Sequence, residues 1–264
     1  MRADRRDLLS LFGGGLGMLS GCTGDRIADP SSQTPGTTTE QPLAQHGFPP
    51  TICQEEVMDE PGIPAIIEPS FDRDWRDITV DDRYRLDPTV GGLISEQTVI
   101  GLVRGERARA YPLEILYYHE IINDRFGDSK SEPDRPILIS FCPLCKSGVV
   151  ADRTIDGEAT DFVVSGLLWR PPRIQASASI EANRTVGATR RNGSDSVRHS
   201  GNLVMYDTAT GSYWSQILAR AICGPRRGQT LPIVPSTVTT WADWQRSHPH
   251  TEVLLPPPYS KSVR

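Results

Sequence analysis

The chain has 264 residues, 33 acidic against 28 basic side chains and a formal charge of -5, so it carries no single-sign field of the size that recruits nucleic acid. Positive charge is almost all arginine, because lysine occurs only at Lys130, Lys146 and Lys261. Twenty-two prolines and 23 glycines favour many turns and short strands over long helices.

Taken in chain order, residues 1–22 read as a twin-arginine export signal closing in a lipobox. Arg5-Arg6 precede a glycine-diluted apolar stretch from Leu8 to Leu19, and Ser20-Gly21-Cys22 follow. The apolar stretch is about a dozen residues, against the roughly twenty that cross a bilayer. Cleavage before Cys22 would leave that cysteine as the lipidated N-terminus. Membrane lipid is then the expected partner, and the outer face of the cytoplasmic membrane the expected location. The sequence identifies no protein partner. Residues 23–50 are polar and poor in aromatics, which predicts a disordered tether. A single globular domain is expected over 51–255 and a disordered tail over 256–264.

Inside the domain the predicted elements are short. Thr98–Val103 and Ala108–Tyr111 around Arg104-Gly105-Glu106 predict a hairpin. Pro112 opens a helical pattern that runs through Leu113, Leu116, His119 and Glu120 to Ile122. Pro136–Phe141 predicts a buried strand delivering Cys142, and Gly148–Asp152 and Asp161–Ser165 predict strands joined through Asp156-Gly157. Residues 202–207 and 212–215 frame another turn, and 240–246 predict a short helix. The fold class read from this pattern is α+β, β-rich, with mainly antiparallel strands and a few short helices. Between 170 and 198 six arginines face two acids with almost no apolar pattern, which predicts a disordered insertion.

The chemistry centres on Cys142-Pro143-Leu144-Cys145. With Cys22 set aside for lipid, four cysteines allow two bridges, one metal site, or one pair plus two free thiols. The strand pattern after Cys145 lacks the helix N-terminus that activates thioredoxin-type thiols, which favours a metal site or a structural disulfide. Cys53 and Cys223 stand alone and far apart, so a metal site would recruit His119, with Glu120 orienting its ring. Two thiolates and one imidazole form a soft donor set suited to copper(I) or zinc. Trp214 and Gln216 on one strand face could line a pocket. The alternatives are a thiol–disulfide oxidoreductase in which Cys142 attacks and Cys145 resolves, and a non-catalytic cell-surface binding module.

Several ordered motifs carry a resemblance. They are Ile63-Pro64-Ala65-Ile66, Ala110-Tyr111-Pro112, His119 through Asp124, Cys142-Pro143-Leu144-Cys145, Val164 through Leu168, Leu203 through Asp207, Gly211 through Gln216, Trp241 through Trp244 and His248-Pro249. Together they resemble the domain of unknown function 3179 family over about Ile63 to Leu255. The stretch Arg170 to Arg198 departs from the family pattern. The resemblance implies a shared fold and assigns no activity.

Overall fold

Short apolar runs between turn residues become short strands, and these form three five-stranded sheets and one small hairpin. The computed structural model describes residues 52–57, 62–128, 133–169, 186–187 and 202–263. The expected export signal with Cys22 and the tether lie outside the described residues. So does the expected insertion, except for Val186–Gly187.

The central sheet is built, edge to edge, from β17 (Lys261–Val263), β1 (Ala65–Glu68), β5 (Ile121–Phe126), β6 (Arg135–Cys142) and β7 (Ser147–Asp152). A second sheet orders β15 (Thr237–Thr240), β3 (Thr98–Arg104), β4 (Arg107–Pro112), β16 (Glu252–Leu254) and β2 (Phe71–Asp72). A third orders β11 (Val186–Gly187), β10 (Phe162–Trp169), β12 (Asn202–Asp207), β13 (Tyr213–Ser215) and β14 (Arg220–Cys223). The hairpin pairs β8 (Thr154–Ile155) with β9 (Glu158–Ala159) around Asp156-Gly157. Within these sheets, only β1–β5 and β4–β16 pair in parallel. With two short helices, α1 (Leu113–His119) and α2 (Trp241–Ser247), this is the expected β-rich α+β class.

Side-chain alternation explains why the central sheet is apolar on both faces. Ile122, Ile139, Phe141 and Val150 point into one core shared with Ile100, Leu102 and Ala110 of the second sheet and with Trp241 and Trp244 of α2. Their neighbours Ile121, Leu138, Cys142 and Ala151 point into another core, shared with Phe162, Leu203, Met205 and Trp214 of the third sheet. The central sheet is therefore the middle of three layers. The cysteine turn joins β6 to β7 at one end of it.

Three expectations change. The helical pattern from Pro112 stops at His119, because Glu120 takes a left-handed conformation (φ 54) and closes the helix through its N–H to the Leu116 carbonyl. Ile121 and Ile122 then pair as strand with Ser140 and Ile139, the preferred state of β-branched residues. The 148–152 and 162–165 strands enter different sheets, with β8–β9 between them. The tail expected to be disordered from 256 is ordered to Val263: Lys261–Val263 pair antiparallel with β1, and Ser260 donates to the Leu255 carbonyl at 2.6 Å.

Candidate functional site

Pro143 follows Cys142 in a tight turn, where its fixed φ suits the second position. Lys146 then adopts φ 52 and returns the chain to β7. Cys142 pairs with Ser147 as the closing rung of the hairpin. Cys142 is 1% exposed, whereas Cys145 is half-buried, and neither is in a disulfide. The structural-disulfide reading of this pair is thus not what the fold adopts.

Donors converge on the Cys145 sulfur. The Ser147 hydroxyl lies 2.9 Å away, the Asn202 amide donates at 3.4 Å, and the Ser147 N–H and the Cys142 thiol also point at it. The Cys142 hydrogen bond is the largest of the effects that pull the Cys145 thiol down to about 5, with Ser147 and Asn202 adding to it against the opposing effect of burial. That same shared proton, together with burial, drives the Cys142 thiol strongly upward. The pair therefore ionises once, on Cys145, and Cys142 keeps the proton.

A second tier of amides holds these donors. Asn202 Nδ2 donates to Gln216 Oε1 at 2.6 Å, and Gln216 Nε2 donates to the Ser147 carbonyl at 2.9 Å. The Ile217 N–H donates to Asn202 Oδ1 at 2.9 Å. The Ser147 hydroxyl has one proton and two acceptors, Cys145 Sγ and Gln216 Oε1, each at 2.9 Å. When Cys145 is a thiolate the proton turns to sulfur, and Asn202 still satisfies Gln216.

The expected ligand set is not assembled. His119 is buried with both ring nitrogens engaged: Nδ1 lies 2.6 Å from the Pro64 carbonyl and Nε2 lies 2.9 Å from the Tyr84 hydroxyl. A carbonyl only accepts, so Nδ1 carries the proton and Nε2 accepts from Tyr84. Burial lowers the His119 pKa, which keeps that neutral form. Among the described residues no group of three or more His, Cys, Asp or Glu side chains is placed to hold a metal ion. Glu120 is close enough to the sulfurs to feel their charge, and burial first, then Cys145, raises its carboxyl to about 7. Gln216 joins the site. Trp214 is fully buried in the core between the central and third sheets, with its Nε1 donating to Asp207 at 2.8 Å. Ser147 belongs to the candidate segment Phe141 to Gly148 but carries no assigned role in the sequence, and Asn202 stands outside it. Their one local signal is a polar residue at the end of an apolar strand.

Cys53 and Cys223, solitary in sequence, form a disulfide that ties the 52–54 turn to β14. On the opposite face of the central sheet from the sulfurs lies an apolar cleft of about 230 Å³. Phe141 and Gly148 of the cysteine hairpin form one wall, and Ile100 and Val238 of the second sheet the other.

These features define a three-layer β-rich domain with a paired-cysteine turn at the rim of its central sheet. The chain belongs to the family described as a protein of unknown function, DUF3179, whose family model matches residues 60–174 and 183–262. The match leaves only 175–182 uncovered inside the stretch expected to depart from the family. No curated protein and no solved structure matches the chain.

Proposed function

We propose that this chain is a lipid-anchored extracytoplasmic thiol–disulfide exchange protein in which Cys145 attacks and Cys142 resolves. The observation that carries the reading is the ring of donors around the more accessible sulfur, beside a fully buried second thiol. A thiolate so stabilised forms at neutral pH and acts as a nucleophile. Its attack on a partner disulfide would form a Cys145 mixed disulfide and expel one partner thiolate. Cys142 would then give up its proton, attack Cys145 Sγ and expel the second thiolate. The partner gains two electrons, and the Cys142–Cys145 pair loses two.

This reverses the order of attack expected from sequence. Copper or zinc binding through Cys142, Cys145 and His119 is less well supported, because the His119 nitrogens are already bonded. The location rests on Arg5-Arg6 and Cys22, and the Cys53–Cys223 bridge accords with an oxidising compartment.

The test uses reduced protein at pH 6 and an aromatic disulfide reagent. Cys142→Ser should accumulate a stable mixed disulfide on Cys145, while the parent protein releases the aromatic thiol and closes the Cys142–Cys145 bridge. A Cys145 that stays unreactive at pH 6, or exchange that persists in Cys145→Ser, would overturn the assignment. Stoichiometric copper or zinc that is lost in Cys142→Ser, from a protein without exchange activity, would favour the metal role.

A further inference from the structure

The apolar cleft and the reactive sulfur sit on opposite faces of the same strand end, and between them the edge of β7 is half-covered. Val150 accepts from the Val234 N–H at 2.9 Å, and Asp152 donates to the Pro232 carbonyl at 2.8 Å. Even-numbered residues of β7 therefore turn their backbone groups outward, away from β6. Gly148 is the next of these. Among the described residues no strand or bridge pairs with it on that side. Beyond Val234 the chain leaves β7 and becomes β15, the edge of the second sheet. The cleft lies in the fork between these two edges, with Gly148 and Val150 on one side and Ser236 and Val238 on the other.

From this juxtaposition we infer that the fork is a docking slot for an extended, disulfide-bonded segment of another polypeptide, which adds to the β7 edge with a cysteine on one face and an apolar side chain on the other. The inference rests on the exchange reading above and specifies its substrate class.

Strand geometry supplies the argument. Residues directly opposite one another in a ladder share a face, with Cβ atoms about 5 Å apart. A segment residue opposite Gly148 faces the cleft, among Phe141, Val150 and Val238. Its neighbour, opposite Ser147, faces the other way, toward the hydroxyl that lies 2.9 Å from Cys145 Sγ. One register thus seats an apolar side chain and presents the adjacent cysteine to the thiolate. Gly148 keeps the cleft floor low, and Val238, 65% exposed on an edge strand, forms the opposing lip. Lys146 lines the same cleft and makes no ion pair among the described residues, so a carboxylate on the segment would be favoured over a second cation. Extended segments add to open sheet edges in this way, with backbone bonds giving affinity and alternate side chains giving specificity.

In the step itself Cys145 S⁻ attacks the segment's cysteine sulfur, the segment's own S–S bond breaks, and the thiol formerly bonded to it leaves with the electron pair. Repeated turnover then needs an external dithiol to re-reduce the Cys142–Cys145 bridge.

The experiment uses the full chain as Cys142→Ser and follows mixed-disulfide formation on Cys145 with ten-residue peptides, each carrying one cysteine as an aromatic disulfide. One peptide has leucine beside the cysteine; a second has serine there; a third keeps leucine but carries an N-methyl group on the backbone nitrogen that would pair with Gly148. The free aromatic disulfide is the control. The leucine peptide should react about tenfold faster than either of the others, the discrimination expected for one buried aliphatic side chain. Val238→Asp should abolish that preference, read as the ratio of the leucine-peptide rate to the serine-peptide rate. Equal rates for all three peptides, with the free reagent still reacting, would overturn the docking slot and leave the exchange reading standing. No reaction with the free reagent would overturn both.

Discussion

Removing the Ser147 hydroxyl tests the account of the site at its most quantitative point. In Ser147→Ala the Cys145 thiolate loses the donor at 2.9 Å and keeps Asn202 Nδ2, the Ser147 N–H and the Cys142 thiol. Hydrogen bonds to charged groups contribute about 1.5–3 kcal/mol. Ser147 is only half-buried, so the lower end applies, or about 1 pK unit at 1.36 kcal/mol per unit. The fold should barely notice, since Gln216 Oε1 keeps its 2.6 Å bond from Asn202. Thiolate absorbance in the ultraviolet, followed against pH in reduced protein, gives the midpoint directly. The parent midpoint should lie near 5, and that of Ser147→Ala about one unit higher. Alkylation at pH 5 should slow correspondingly, by about fivefold, and converge with the parent above pH 8. An unchanged midpoint would show that the hydroxyl does not bear on sulfur. A parent midpoint at the ordinary thiol value would refute the whole assignment of an activated Cys145.

Burial raises Glu114 to about 7, so its effect on stability is set by a proton bound in the folded state. The folded form is undisturbed below the carboxyl's unfolded value and loses stability as pH rises through about 7. Glu114→Gln should therefore stabilise the domain by about 1–2 kcal/mol at pH 8 and by nothing at pH 4; equal urea midpoints at both pH values would contradict this. A Cβ on Gly101 would collide with the Trp244 ring where α2 packs on β3. Gly101→Ala should cost about 3 kcal/mol, read as a lower thermal midpoint, and a neutral result would mean the helix shifts freely. Arg109 donates to the Asp124 carboxylate at 2.9 Å, and Tyr111 donates to the same oxygen at 2.7 Å. Burial nonetheless outweighs both partners and leaves the Asp124 pKa raised. Arg109→Met should cost about 3–5 kcal/mol by stranding that buried carboxylate, and a compensating Asp124→Leu should recover most of it; additive losses in urea unfolding would refute the coupling.

Local pattern alone determined much of the secondary structure. The β3–β4 hairpin, the strand into Cys142 and helix α2 follow from apolar period and turn residues within a few positions of each other. The family was legible too, through motifs scattered along the chain, and so was the Cys142–Cys145 pair as the candidate site. Tertiary structure decided what those cysteines are. Asn202 reaches Cys145 across 57 residues and Gln216 reaches Ser147 across 69, contacts no window of sequence encodes because they form only when β12 and β13 pack over the central sheet. The same packing takes His119 away to Pro64 and Tyr84, and it closes Cys53 onto Cys223 across 170 residues. Spacing along a chain fixes which side chains can share a turn; only the stacking of layers fixes which distant donors surround a sulfur, and those donors set its charge.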